Sequence, residues 1–207
     1  MIADHIILVA TMNRTDILNG LIRSRGYQSY LEIGVGGCDN LNAISLEPSR
    51  KVGVDPRGGV GVLPLTSDAF FTISPLKFDL IFIDGLHLEY QVYRDILHSL
   101  AVMNNGGTIV CHDINPMARE EQIVPKRQSR WTGDGWKAWV RLRSQRRDLN
   151  MSVVDTDYGC GIIQYGVQDL IEIPDSLDWD SLVGNRTAWL NLISPSVFQQ
   201  RYLEQLT

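Results

Sequence analysis

Two short segments of the chain combine histidine with aspartate directly after an apolar run. The first is Ile83-Asp84-Gly85-Leu86-His87, and the second is Cys111-His112-Asp113. An imidazole titrates near neutral pH, so His87 and His112 are candidates for a base that removes a proton from a reacting group. Because the carboxyl ends of parallel strands meet at one edge of a sheet, we expect both segments to converge on one pocket.

These side chains also have structural interpretations that the sequence leaves open. His87 could orient the helix that follows it, and His112 could be a hydrogen-bonded core imidazole at a strand end. Asp84 could stabilise a tight turn with the glycine after it. His98 falls within a predicted helix and is given no functional role.

A glycine-rich turn is the second feature suited to chemistry. The run Tyr30-Leu-Glu-Ile-Gly-Val-Gly-Gly-Cys-Asp-Asn40 ends an apolar stretch in Glu32 and glycines, and Lys51-Val-Gly-Val-Asp55 ends in a carboxylate. Glycines let a ligand lie against bare backbone, and a carboxylate about 20 residues further on suits the hydroxyls of a ribose. The pattern predicts a nucleotide-like ligand, either a dinucleotide such as NAD or S-adenosylmethionine.

The details of the turn favour S-adenosylmethionine. A dinucleotide fingerprint has a third glycine where this chain has Asp39, whose charge would face the phosphates. Asp39 or Asn40 is instead expected to cap the following helix, which a ligand without phosphates tolerates. Glu32 could meet the amino group of the ligand's methionine half.

Composition narrows the class of protein. The 207 residues fit one domain, and 44% hydrophobic and 21% charged residues are ordinary for a globular protein. The net charge of −5 argues against a nucleic-acid partner, and we expect no membrane partner because no apolar run is long enough to span a bilayer. Three cysteines without paired spacing and an N-terminus without a signal-peptide pattern predict a cytoplasmic protein.

Apolar runs and amphipathic stretches alternate along the first two thirds of the chain. Strands are predicted at 29–33, 51–54, 61–65, 78–83 and 107–112, and helices at about 14–26, 39–47 and 89–103. Such alternation is typical of a doubly wound α/β fold with a parallel sheet, whose ligands bind at the carboxyl ends of the strands.

The last third of the chain has a different pattern. A helix is predicted at 134–148, and strands at 151–155 and 160–165 are too close together for a helical crossover, so they should pair antiparallel. The long connection at 114–137 is expected on the substrate side. We predict a domain over residues 1–174 and a helical appendage over 175–207, whose aromatic side chains could pack on the domain, cover the site or support a homo-oligomer.

Two sets of motifs resemble a known family. Glu32-Ile-Gly-Val-Gly36 resembles the first motif of class I S-adenosylmethionine-dependent methyltransferases, in which the closing antiparallel hairpin is also expected. The combination Ile-Asp-Gly-x-His-x-x-Tyr and Gly-Gly-x-Ile-Val-x-His-Asp resembles a small methyltransferase-domain branch, akin to the macrocin-type and catechol-type O-methyltransferases. The resemblance covers roughly residues 28–165.

The resemblance implies a fold and an activity. The fold would be a Rossmann-like, doubly wound, mostly parallel seven-stranded sheet with an antiparallel last strand. The activity would be O-methylation of a small hydroxylated molecule, such as a sugar or secondary metabolite, with S-adenosylmethionine as cofactor. Two alternatives stay open: an NAD-dependent oxidoreductase, and a methyltransferase-fold binding protein without activity.

The resemblance also implies roles for individual residues. The implied cofactor-binding residues are Glu32, Gly34, Gly36, Asp55, Asp68 and Asp84, and the implied catalytic residues are Asp84, His87 and His112. Magnesium or another divalent ion would bind Asp84, His112 and Asp113, although a histidine is a softer ligand than the usual carboxylate. Asp68 has an equally economical interpretation as the N-cap of a short helix.

Overall fold

A computed structural model of the protein describes residues 12–204, which form one mixed sheet with helices packed against it. The strands are β1 (Tyr30–Ile33), β2 (Lys51–Val54), β3 (Val62–Leu63), β4 (Phe78–Ile83), β5 (Met103–Cys111), β6 (Leu149–Val154), β7 (Cys160–Tyr165) and β8 (Leu192–Ile193). Their order across the sheet is β3-β2-β1-β4-β5-β7-β6-β8.

Seven α-helices lie within the described residues. They are α1 (Arg14–Arg25), α2 (Asp39–Ala43), α3 (Ser67–Ile73), α4 (Glu89–Val102), α5 (Gly135–Gln145), α6 (Trp179–Leu190) and α7 (Pro195–Phe198). Short 3-10 turns lie at Pro48–Arg50 and Arg119–Gln122, and a π-helical turn follows α7 at Gln199–Leu203.

The predicted doubly wound architecture with an antiparallel closing hairpin is confirmed. Strands β3, β2, β1, β4 and β5 are mutually parallel, and β7 runs antiparallel to both β5 and β6. The predicted count of seven strands was wrong, because β8 adds an eighth strand parallel to β6. A two-residue strand carries no periodicity that a sequence pattern could reveal.

Two predicted helix caps were also wrong. The N-cap of α2 is Cys38, in the left-handed region at φ 70°, and α2 ends at Ala43 instead of continuing to residue 47. The Asn40 side chain turns back to the preceding strand and donates to Glu32 and Tyr30. The N-cap of α3 is Thr66 and not Asp68, which leaves the Asp68 carboxylate free for other contacts.

The sheet is covered on both faces by apolar side chains. One cluster includes Ile17, Leu18 and Leu21 of α1, and the other includes Trp136 and Trp139 of α5. Trp139 lies so close to the backbone of β7 that a Cβ at Gly161 would be 2.4 Å from its ring. This packing fixes the β6–β7 hairpin against α5.

The C-terminal segment packs on the domain and includes a strand, so the predicted appendage is not purely helical. Phe198 is fully buried, and the Tyr202 hydroxyl lies 2.8 Å from the Ser152 hydroxyl of β6. The boundary between the predicted domain and the predicted appendage at residue 174 stays a prediction. Residues 1–11 of that domain and residues 205–207 of that appendage lie outside the described residues. Between residues 12 and 204, none of the helices has the length and apolar character needed to cross a membrane.

Candidate functional site

A cavity of about 1080 Å³ opens at the carboxyl ends of the parallel strands. Its position agrees with the expectation for a doubly wound sheet, where ligands bind outside these strand ends. Every residue to which the sequence analysis gave a site role lines this cavity: Glu32, Gly34, Gly36, Asp55, Asp68, Asp84, His87, His112 and Asp113.

The glycine turn after β1 exposes bare backbone to the cavity. Gly34 has φ 87°, and its amide donates to the Val54 carbonyl at 2.8 Å. A Cβ at Gly34 would be 2.2 Å from the Asp84 carbonyl oxygen, so only glycine fits between the ends of β1 and β4. The Gly36 amide donates to Asp55 Oδ2 at 3.1 Å, which ties the turn to the end of β2.

Glu32 lies beneath this turn and is only 1% exposed. Its Oε2 accepts hydrogen bonds from the Tyr30 hydroxyl and from Asn40 Nδ2, the latter at 2.9 Å. Burial raises the pKa of the Glu32 carboxyl to about 7, because desolvation outweighs both hydrogen bonds. Glu32 is therefore a carboxyl group that changes charge near neutral pH.

Two further carboxylates lie beyond the turn. Asp55 accepts from the Arg57 amide at 2.9 Å and from the Arg57 guanidinium at 3.2 Å. Burial opposes ionisation, but the hydrogen bonds from Arg57 and Gly36 hold the pKa of Asp55 below its usual value. Asp68, at the start of α3, pairs with Arg94 at 2.6 Å.

The predicted convergence of the two histidine segments is present in the structure. His87 Nε2 lies 3.2 Å from Asp84 Oδ1, and His87 Nδ1 lies 3.1 Å from Asp113 Oδ2. His112 Nδ1 lies 3.3 Å from Asp84 Oδ1 and 3.4 Å from Asp113 Oδ1. The two imidazoles and two carboxylates therefore form one cluster at the ends of β4 and β5.

The two imidazoles differ in how far they face the cavity. The His87 side chain is 19% exposed, whereas the His112 side chain is 2% exposed. Burial lowers the pKa of His112, but hydrogen bonds to Asp113, Asp157 and Asp84 outweigh it and hold the pKa well above its ordinary value. These contacts favour the imidazolium form of His112, and the more open His87 is the better placed proton acceptor.

Sequence reasoning missed two charged residues of the cluster. Asp157, in the turn between β6 and β7, lies 3.5 Å from His112 Nε2. Arg14, at the start of α1, donates to Asp84 at 3.0 Å and to Asp157 at 2.9 Å. The sequence signal for Asp157 was its place in a tight hairpin turn, whereas nothing in the local pattern around Arg14 distinguishes it from a surface residue.

The long connection after β5 contributes one wall of the cavity, through Ser129, Arg130, Trp131 and Thr132. The Trp131 ring stacks on His87, with 5.5 Å between ring centroids and 12° between planes. Asp134 precedes α5, but its side chain accepts from the Glu89 amide at the start of α4. The end of this connection thus packs on the segment that carries His87.

The cluster also offers donor atoms for a cation. Asp84, His87 and Asp113 each provide one ligand atom, and these atoms lie within 4.8 Å of one another. Magnesium binds oxygen ligands almost exclusively and retains waters, whereas imidazole suits softer ions. With two imidazoles at the site and the Arg14 guanidinium against Asp84, these residues fit a magnesium ion poorly.

Comparisons with known proteins agree with this geometry. A family model described as a methyltransferase domain matches residues 46–114. No curated protein matches the chain in sequence.

Solved structures share the fold at low sequence identity. The O-methyltransferase TomG from Streptomyces achromogenes, in complex with S-adenosylmethionine, is 15% identical with a TM-score of 0.55, covering 73% of this chain and 78% of its own. An O-methyltransferase from Bacillus cereus, bound to S-adenosylhomocysteine, is 16% identical with a TM-score of 0.52, covering 74% and 80%. The family model matches only part of the chain, and the solved structures show that the chain shares their Rossmann-like α/β fold.

Proposed function

We propose that the protein transfers the methyl group of S-adenosylmethionine to a hydroxyl oxygen of a small molecule, such as a sugar or secondary metabolite. One observation carries the proposal: a single cavity joins the glycine turn, which suits a nucleotide-like ligand, to the cluster around His87. The solved structures with the same fold, which hold S-adenosylmethionine or its demethylated product, support this choice of cofactor.

In this proposal each side of the cavity has a separate task. The backbone of Gly34 and Gly36 lies against the cofactor, and Asp55 accepts hydrogen bonds from the ribose hydroxyls. Glu32 pairs with the amino group of the ligand's methionine half. Asp68 binds the adenine amino group at the far end. To accept a ribose, Asp55 exchanges its hydrogen bonds with the exposed Arg57 side chain for hydrogen bonds with the ligand.

The reaction itself requires alignment and removal of one proton. The carbon–sulfur bond of the sulfonium breaks as the acceptor oxygen forms a bond to the methyl carbon, and the hydroxyl proton goes to His87. S-adenosylhomocysteine and the methyl ether are the products. Asp84 and Asp113 hold the His87 ring between them, and the buried His112 imidazolium balances their charge.

The activity is expected to rise with pH through the pKa of His87. Burial lowers this pKa, but the hydrogen bond that His87 donates to Asp84 and the negative charge of Asp113 outweigh burial and raise the pKa above its ordinary value. A protonated His87 cannot accept a proton, so turnover is low below this pKa. Asp113→Asn removes one carboxylate and should move the rising limb of the pH–rate profile down by about one pH unit. An unmoved limb would contradict the assignment of His87.

Cofactor affinity is expected to fall in mild acid because of Glu32. With a pKa of about 7, Glu32 is mostly neutral at lower pH and must lose its proton to pair with the ligand's ammonium group. Binding of S-adenosylmethionine should be about fivefold to tenfold weaker at about pH 6 than at about pH 7.5. Calorimetry on the wild type and on Glu32→Gln tests this, since the variant should bind more weakly with a much flatter pH dependence.

Calorimetric titration tests the proposed function, with S-adenosylmethionine and NAD in separate experiments. Binding of S-adenosylmethionine without binding of NAD supports the proposal, and a set of phenols and sugars then identifies acceptors by methyl transfer. Binding of NAD alone would favour an oxidoreductase. Binding of S-adenosylmethionine without transfer to any acceptor would favour an inactive binding protein. A divalent ion at Asp84, His112 and Asp113 stays a prediction, as does a homo-oligomer.

A further inference from the structure

We propose that Arg14 is the resident cation of this cluster: its guanidinium takes the place at Asp84 that a divalent ion would occupy, and it faces the acceptor oxygen. The first half of this inference, that Arg14 takes the place of a divalent ion at Asp84, concerns only the charges of the cluster. The second half, that Arg14 faces the acceptor oxygen, rests on the proposed function, because it assumes that an acceptor enters the cavity.

The contacts of Arg14 bridge two carboxylates from opposite sides of the site. Its Nη1 donates to Asp84 Oδ2 at 3.0 Å and lies 3.3 Å from His112 Nδ1. Its Nε and Nη2 donate to the two oxygens of Asp157, at 2.9 and 3.3 Å. This two-pronged contact with Asp157 fixes the plane of the guanidinium as well as its position.

The fold determines where Arg14 lies. The capping box of Asn13 and Asp16 sets the start of α1, and buried Ile17 and Leu18 hold that helix against the sheet. The Arg14 amide also donates to Asp157 Oδ2, at 3.0 Å. The backbone and the side chain of Arg14 therefore donate to the same carboxylate. These contacts hold the side chain in place more firmly than a single surface contact would.

The charge balance of the cluster calls for such a cation. Three carboxylates, Asp84, Asp113 and Asp157, lie within 3.5 Å of the His112 ring nitrogens. A divalent ion on Asp84 would share that carboxylate with a guanidinium already at hydrogen-bond distance, so each cation excludes the other.

Two N–H groups of Arg14 are left for a ligand. The contacts to Asp84 and Asp157 use three of the five N–H groups of a guanidinium, and Arg14 itself lines the cavity. An imidazolium at His112 has no lone pair to accept the second Nη1–H, so that group and the second Nη2–H can donate to one oxygen of an acceptor. A single ionised oxygen, as in a phenol, satisfies these donors, whereas metal chelation would require two neighbouring oxygens.

Titration with Mn²⁺ alone tests the first half directly. The samples are the wild type, Arg14→Met, and the control Arg23→Met, which removes an exposed arginine from the same helix. Arg14→Met should bind Mn²⁺ at least about tenfold tighter than the other two, since it frees Asp84 and keeps the other donors. Arg14→Lys, which keeps the charge, should stay close to the wild type.

Several outcomes would overturn the inference. Tight Mn²⁺ binding by the wild type would overturn it, whether or not Arg14→Met folds. Weak binding of equal strength by the wild type and a folded Arg14→Met would also overturn it. Loss of transfer in EDTA with recovery in magnesium would exclude the second half. Titration of the same samples with S-adenosylmethionine separates the two proposals, because its failure to bind would refute the proposed function and leave the Mn²⁺ comparison intact.

Discussion

Replacing His87 with glutamine is expected to lower the turnover number for methyl transfer by about 10²-fold to 10⁴-fold, the range that a general base contributes. His87 is the imidazole that faces the cavity, and its two ring nitrogens lie 3.2 Å from Asp84 and 3.1 Å from Asp113. Glutamine retains the approximate size and polarity but cannot accept the hydroxyl proton. Steady-state kinetics with an identified acceptor measures the effect.

The matched control for this variant is His98→Gln. His98 lies on α4 and contacts the ring of Phe71, away from the residues that line the cavity. His98→Gln should leave turnover within about twofold of the wild type, and both variants should bind S-adenosylmethionine as the wild type does. A His87→Gln enzyme with nearly normal turnover would assign proton removal to another group.

The largest effect on the cofactor side is expected from Gly34→Ala. The new methyl group would be 2.2 Å from the Asp84 carbonyl oxygen and 2.4 Å from the Gly85 Cα, and the backbone at Gly34 has φ 87°. Neither neighbour can shift freely, because the Asp84 amide donates to the Ile33 carbonyl within the sheet. We expect a loss of about 3 kcal/mol or more in the free energy of unfolding.

Denaturant titration and calorimetry measure the two consequences of this substitution. Binding of S-adenosylmethionine should be abolished, since any relief of the clash moves the turn on which the ligand lies. Gly26→Ala is the control: Gly26 also has positive φ, 66°, but a Cβ there has open space. It should cost only about 1 kcal/mol and leave binding unchanged. If both variants lost the same stability and kept the same binding, the positive φ at Gly34 would require glycine there, and the short distance to Asp84 would not.

The fold and most of the candidate site could be predicted because the relevant signals are local. Glu32 lies within β1, the other predicted site residues follow apolar runs that form strands, and the carboxyl ends of parallel strands necessarily meet. The glycine turn and the histidine–aspartate segments therefore reached one cavity without any knowledge of side-chain contacts.

The remaining charges could not be predicted, because their partners are remote in sequence. Arg14 and Asp157 are 143 positions apart, and their contact depends on how α1 packs beside the β6–β7 turn. Asn40 illustrates the same limit at short range. Its residue type suggested a helix cap, but the buried Glu32 carboxyl is a better partner for its amide in the folded protein.

The short strand β8 links the C-terminal segment to the stability of the cluster. It pairs with Val153 and Val154, and the Asp155 amide donates to the Ile193 carbonyl at 2.8 Å, two residues before Asp157. The C-terminal segment and the hairpin turn should therefore open as one cooperative unit in native-state hydrogen exchange. A ligand that orders the cavity should then slow amide exchange in β8, although β8 itself is not among the residues that line the cavity.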